Sequence, residues 1–228
     1  MLKNSKFLSI FFFLLLYNQS SYGHVNHYDN INFINFEIYR NNKYVGNHTF
    51  LFQREESTIS VTSQIDFKIK KLGVVLYKYH AKGTEFYKDG KLIKFTSTTN
   101  QNGKKKFVNL TLNNNLYKIK GSSYNGDAPI EYLLGTWWNH NIIKAKAQIS
   151  AVSGRIIKQK VDFLGKETLK IKNKNYNTLH FKFQSSDAKL DKKKKLNTDI
   201  WYDENTLLWV KASFEKGGKW EYILKELK

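Results

Sequence analysis

Between residues 58 and 70 the chain sorts its side chains by parity. Ile59, Val61, Ile65, Phe67 and Ile69 fall on one side, and Thr58, Ser60, Thr62, Gln64, Asp66, Lys68 and Lys70 on the other. Successive side chains of a β-strand point to opposite faces, so a period of two makes one buried face and one wet face. A helix would scatter the same residues around its circumference. Similar alternation marks 33–40, 44–53, 75–88, 92–100, 105–113, 116–120, 155–163, 167–172, 176–184, 199–202, 207–214 and 220–227. Asn41-Asn42, Asp89-Gly90 and Asn102-Gly103 lie between such runs, and these residues accept the positive φ that two-residue hairpin turns require. Roughly a dozen strands with tight links form a meander, and open sheets wider than about ten strands curl. The expected fold is all-β, mainly antiparallel, closed into a β-barrel or bent into a strongly curved half-barrel.

Two stretches break the rhythm. Residues 127–150 hold the only proline, Pro129, and the adjacent pair Trp137-Trp138, with Leu133, Trp137, Ile142 and Ile143 out of alternation. The expectation is a loop with one or two short helices, lying across an open end or face of the sheet. Two neighbouring Trp cannot easily both face one interior, so at least one of them is expected to line a cavity mouth or meet a partner. Tyr132, Leu133, Trp137, Trp138 and Asn139 are the candidate ligand-binding residues. Trp201, Trp209 and Trp220 read as core filling. The second irregular stretch, 185–198, carries Lys192 to Lys195, whose like charges favour a solvated loop.

The first 23 residues read as a secretory signal peptide: Lys3 and Lys6 precede the apolar run 7–17, and Ser21 and Gly23 suit a cut before His24. Eleven apolar residues fall short of the roughly 20 that a spanning helix needs, so no stable transmembrane anchor is expected. The remaining 205 residues (228 − 23), 24–228, fit one large β domain. These readings place the protein outside the cytoplasm, in the periplasm or beyond. The chain has no cysteine, which excludes disulfides, thiol catalysis and thiolate metal sites. A new amino terminus bearing His24 and His27 could chelate copper, and it is the one metal site the sequence offers.

Removing the leader leaves (38 − 2) − 19 = +17. Such an excess attracts anionic surfaces. Only three of the basic residues are Arg, the residue favoured for bidentate phosphate recognition, and the abundance of Asn alongside Lys points to compositional drift. Lys68, Lys70, Lys71 and Lys78 interleave with Tyr77 and Tyr79, a pattern that could stack and hold single-stranded nucleic acid. An exported protein rarely meets nucleic acid, so none is expected as a partner.

No nucleophile elbow, H-E-x-x-H pair, phosphate loop or EF-hand is present, and no cofactor is expected. The leading expectation is a non-catalytic envelope protein holding a lipid-like or other hydrophobic molecule in a β cavity. Two alternatives are a lysine-rich module that binds an anionic envelope polymer and a hydrolase using carboxylates such as Asp66, Glu85, Asp199 or Asp203.

Six stretches carry a resemblance: 37–46 (EIYRNNKYVG), 71–79 (KLGVVLYKY), 96–104 with its Asn102-Gly103 turn, 136–139 (TWWN), 161–167 (VDFLGKE) and 199–203 (DIWYD). Together they resemble an uncharacterised family of exported bacterial proteins catalogued as a domain of unknown function, of the DUF6134/DUF3108 type. The likeness covers nearly all of 24–228 and implies export and a mostly β fold. It implies no catalytic residues. Trp137 and His140 stand where the family pattern has a smaller aromatic and a Pro.

Overall fold

In the computed structural model, which describes residues 28–191 and 194–228, the alternating segments become strands of one sheet. The first half holds β1 (Phe33–Arg40), β2 (Lys43–Glu55), β3 (Thr58–Lys71), β4 (Val74–Lys88), β5 (Lys91–Gln101), β6 (Lys104–Asn113), β7 (Leu116–Gly121) and β8 (Asn125–Pro129). The second holds β9 (Leu133–Leu134), β10 (Ala147–Ile149), β11 (Ile156–Ile171), β12 (Lys174–Ser185), β13 (Asn197–Asp203), β14 (Trp209–Glu215) and β15 (Lys219–Leu227). Across the sheet the order runs from β8 down to β1, then from β15 down to β9. The first and last strands thus meet in the middle, with Ile38 opposite Tyr222. All neighbours are antiparallel except β9 and β10.

Connectivity dictates the curvature. A flat sheet of fifteen strands would hold its edges about 67 Å apart, at about 4.8 Å per gap. Yet edge strand β8 ends at Pro129 and the opposite edge strand β9 begins at Leu133, and four extended residues reach at most about 14 Å. The sheet therefore rolls until its edges nearly meet. It stays open, because β9 pairs with β10 and not with β8. Of the two expected forms, the curled but unclosed one is found.

The expected turns hold. Asn41-Asn42, Asp89-Gly90 and Asn102-Gly103 all take positive φ, as do Asn114-Asn115 and Leu72-Gly73. One strand boundary is corrected. The break between 163 and 167 is not a turn: β11 runs through it with a bulge at Gly165, whose φ of +130° lets one residue drop out of register. The 127–150 stretch is a loop with one short helix, as expected, and it carries short strand segments as well. It finishes β8, contributes β9 and β10, and has a single 3₁₀ turn, His140–Lys144, whose first free N–H is taken by the side chain of Asn139. Strands of two or three residues are too short to display a period.

The concave face is the core. Phe36, Phe50, Phe52, Val61, Phe95, Val108, Leu110 and Trp209 are buried there. The chain between β8 and β11 crosses this face and buries Trp138, Ile142 and Ile149 against it. Hydrogen bonds fix the crossing segment to both halves: Ser97 Oγ of β5 donates to the Ala151 carbonyl at 2.6 Å, and Tyr202 Oη of β13 donates to the Trp137 carbonyl at 2.8 Å.

Gly46 of β2 lies so close to β3 that a Cβ there would sit 1.9 Å from the Asp66 carbonyl oxygen and 2.6 Å from Phe67 Cα. Both neighbours are backbone and cannot yield as a side-chain tip would. Gly46→Ala is expected to destabilise the fold by about 1–3 kcal/mol, the usual cost of overpacking. Urea unfolding measures it, and an unchanged midpoint would show that the two strands separate freely.

Candidate functional site

Period-two sorting sends Glu85 of β4 to the concave side, where it faces Val61 and Phe95 across the ladder and is fully buried. Its carboxylate accepts a 2.9 Å hydrogen bond from Trp138 Nε1 and a 2.5 Å bond from Tyr87 Oη. Burial pushes the Glu85 pKa up; hydrogen bonds from Tyr87 and Trp138 oppose that without cancelling it. Burial, and next the Glu85 charge, push the Tyr87 phenol well above its ordinary value. The trio anchors the crossing segment to the sheet by donors that only an indole and a phenol can supply at this depth.

The five candidate residues separate in the structure. Trp138 is fully buried, with edge contacts to Tyr28, Phe52 and Tyr87 at ring distances of 5.4–5.7 Å, and its carbonyl accepts from Tyr28 Oη at 2.7 Å. Trp137 takes positive φ (63°), which turns its ring the other way, onto Trp209 and Tyr222. Both indoles therefore enter the interior, because the backbone between them is left-handed at Trp137. Leu133 and Asn139 line a small cavity of about 160 Å³ together with Tyr87, Leu92 and Tyr117. Tyr132 faces a different, outer groove beside Tyr124 and Ile156. His24 and His27 lie outside the described residues, as do residues 1–23, the expected leader.

His48 of β2 is buried among Phe36, Phe50, Trp209 and Tyr222, and neither ring nitrogen has a hydrogen-bond partner. Burial drives its pKa down to about 3, so it packs as a neutral aromatic ring. The four carboxylates weighed as catalytic do not gather. Glu85 is on the concave face, and Asp66 is on the opposite face of β3, bonded to His80 at 2.6 Å. Asp199 holds His180 and Lys182, and Asp203 caps the turn to β14 through Asn205 and Thr206. Among the described residues no three His, Cys, Asp or Glu side chains cluster for a metal, and no helix is long and apolar enough to cross a membrane.

A wider opening lies elsewhere. β2 and β3 share their last pair at Gly46 and Phe67, and beyond it the β1–β2 turn and the β3–β4 hairpin splay. A groove of about 1000 Å³ opens between them. Its lining includes the apolar and aromatic Val45, Phe67, Ile69, Leu76 and Tyr79, and the cations Arg40, Lys43, Lys68, Lys70, Lys71 and Lys78. Asp66 is the one carboxylate among the lining residues, and hydrogen bonds from Gln64 and His80 outweigh its burial and keep it ionised below the ordinary range. A surface of this kind suits a molecule with an acyl or aromatic body and an anionic head. The interleaved lysines and tyrosines of 68–79 were its visible signal in the sequence. The splay that makes them a groove depends on where the ladders stop.

A family model for a domain of unknown function, DUF6134, matches residues 36–225, and the chain belongs to that family. A solved β-barrel-like protein of the domain of unknown function DUF1849, from Brucella abortus, matches with a TM-score of 0.58 at 9% identity, over 86% of this chain and 96% of that one. The likeness is one of fold. A protein with a YmcC-like fold from Bacteroides fragilis matches at 10% identity over 86% of this chain and 94% of that one, but its TM-score of 0.37 carries no argument. No curated protein matches the chain.

Opposite titrations follow from the two buried groups. Glu85 binds its proton more tightly folded than unfolded, so its contribution to stability falls as pH rises above 4.5. His48 binds its proton less tightly when folded, so its contribution falls as pH drops from 6.5 towards about 3. In urea unfolding across this range, Glu85→Gln is expected to remove a decline with rising pH, and His48→Phe a decline with falling pH. Parallel curves for wild type and both variants would refute the assignment.

Proposed function

We propose that this DUF6134 member is an exported envelope protein that binds a lipid-like molecule with an anionic head in the groove between the β1–β2 turn and the β3–β4 hairpin. In this reading residues 1–23 are the cleaved leader, and 24–228 form a single periplasmic or extracellular domain. The carrying observation is chemical: six cations and one carboxylate line the same groove of about 1000 Å³ as apolar and aromatic side chains. An anionic polymer without an acyl chain would use the cations and leave Phe67, Ile69 and Tyr79 idle.

The crossing segment takes a supporting part in the proposal. Trp137 and Trp138 fill the middle of the concave face, so a long ligand is held at the end of the roll and not through its centre. Tyr132, Leu133 and Asn139 border the smaller openings on either side of that filling, and the 160 Å³ cavity at Leu133 and Asn139 has room only for a short apolar group.

Displacement of a fluorescent fatty acid tests the reading. Lysophosphatidylglycerol is expected to compete, with neutral monoacylglycerol and polyphosphate each about tenfold weaker or worse. Lys43→Glu with Lys78→Glu is expected to lower affinity by about tenfold, as charge reversal beside an anionic head requires. Equal competition by polyphosphate would transfer the site to an anionic polymer, and no binding of any acyl compound would end the proposal. Mass measurement of the exported chain is expected to show a first residue of His24.

A further inference from the structure

The β3–β4 hairpin outruns its neighbours. β2 leaves β3 at Phe67, and β5 leaves β4 at Tyr79, opposite Gln101, but β3 and β4 stay paired to Lys71 and Val74. Beyond Phe67 the β3 edge of the ribbon has no ladder partner, and the β4 edge has none past Lys78, whose carbonyl accepts from the Asn102 N–H at 2.8 Å; the ribbon extends by about 13 Å, at roughly 3.3 Å per residue. Its tip is apolar. Leu72 is 95% exposed, Val74 62% and Leu76 54%.

Folding does not account for Leu72. It sits at φ +50°, followed by Gly73 at φ +80°, a turn that favours Asn, Asp or Gly first. In the other hairpin turns with a left-handed first residue, that residue is Asn41, Glu56, Asp89, Asn102, Asn114 or Lys172, all polar. An exposed leucine in the left-handed region adds strain and packs against nothing in the chain. The surrounding charge is one-sided: Lys68, Lys70, Lys71 and Lys78 flank the tip, with no acid between residues 67 and 79. In an antiparallel meander alternate turns share an end. Those sharing this end add Arg40, Lys43, Lys104, Lys105, Lys216 and Lys219, against Asp187, Asp191 and Glu215. The turns at the other end are close to neutral, with Glu55, Glu56, Asp89, Asp203 and Glu204 beside Lys88, Lys91, Lys172 and Lys174.

A stable protein partner needs about 800 Å² from each side, which a two-residue tip does not offer. A lipid surface needs only a few inserted aliphatic side chains and lysines that reach the headgroups. We propose that the 68–78 hairpin inserts its apolar tip into an anionic lipid bilayer surface, with Leu72 deepest. This does not require an occupied groove, since Leu72 and Val74 are not among its lining residues.

The absence of native cysteine permits one specific label. The exported protein carrying Leu72→Cys, labelled with an environment-sensitive dye, is mixed with vesicles of equimolar phosphatidylcholine and phosphatidylglycerol. Ser57→Cys, in the β2–β3 turn at the opposite end, is the control. The expected result is a blue shift at position 72, none at 57, and loss of the shift on pure phosphatidylcholine or at high salt. Leu72→Asp is expected to weaken vesicle sedimentation by about tenfold or more, with melting temperature and lysophosphatidylglycerol binding unchanged. No shift at 72, equal shifts at both positions, or unaltered sedimentation of Leu72→Asp would overturn the proposal. So would a shift with envelope proteins and none with vesicles, which would reassign the tip to a protein partner. Retained lysolipid binding beside lost vesicle binding would separate this failure from failure of the groove.

Discussion

A short tether governs this architecture. Strands β8 and β9 are the two edges of a fifteen-stranded sheet, yet only a few residues join them. Hydrogen bonds between strands set the width of the sheet, and covalent geometry limits the span of the tether. Rolling is the only shape that satisfies both. Pro129, which has no N–H to donate, stands at the end of β8, and edge strands are where proline is tolerated. The roll therefore closes in space without closing in hydrogen bonds.

Filling the roll is the task of the chain between β8 and β11. An empty cylinder of this girth would leave its aromatic lining in contact with water, and Trp137 and Trp138 supply much of the missing volume. Their indoles go to different parts of the interior because one φ is positive. Glu85 adds directionality: a carboxylate with two donors from opposite sides accepts only one placement of Trp138. The middle of the concave face is thus filled and specific, and the splayed end is open and charged.

Much of this was legible in the residues. Alternation located most of the strands, and Asn-Asn, Asp-Gly and Asn-Gly located their turns, because both signals arise within a few residues. The short strands β9 and β10 were not legible, since two or three residues cannot show a period, and their partners are chosen by the roll. Residues 163–167 read as a gap because Phe163 and Leu164 are consecutive apolar residues, whereas the bulge at Gly165 absorbs the phase change within one strand. Lys68 to Tyr79 showed their composition but not their use. Composition is local, while a groove exists only where two ladders end at different heights.

The seam between β1 and β15 has a kinetic meaning. Each half of the sheet is a run of hairpins that can zip from local contacts, but Ile38 meets Tyr222 only after nearly the whole sequence is in place. Until then each half shows a raw inner edge of unpaired amides and carbonyls, a template for any other extended chain. Two molecules caught at this stage could each lend a half to the other, so folding is a race between joining within one chain and strand exchange between two.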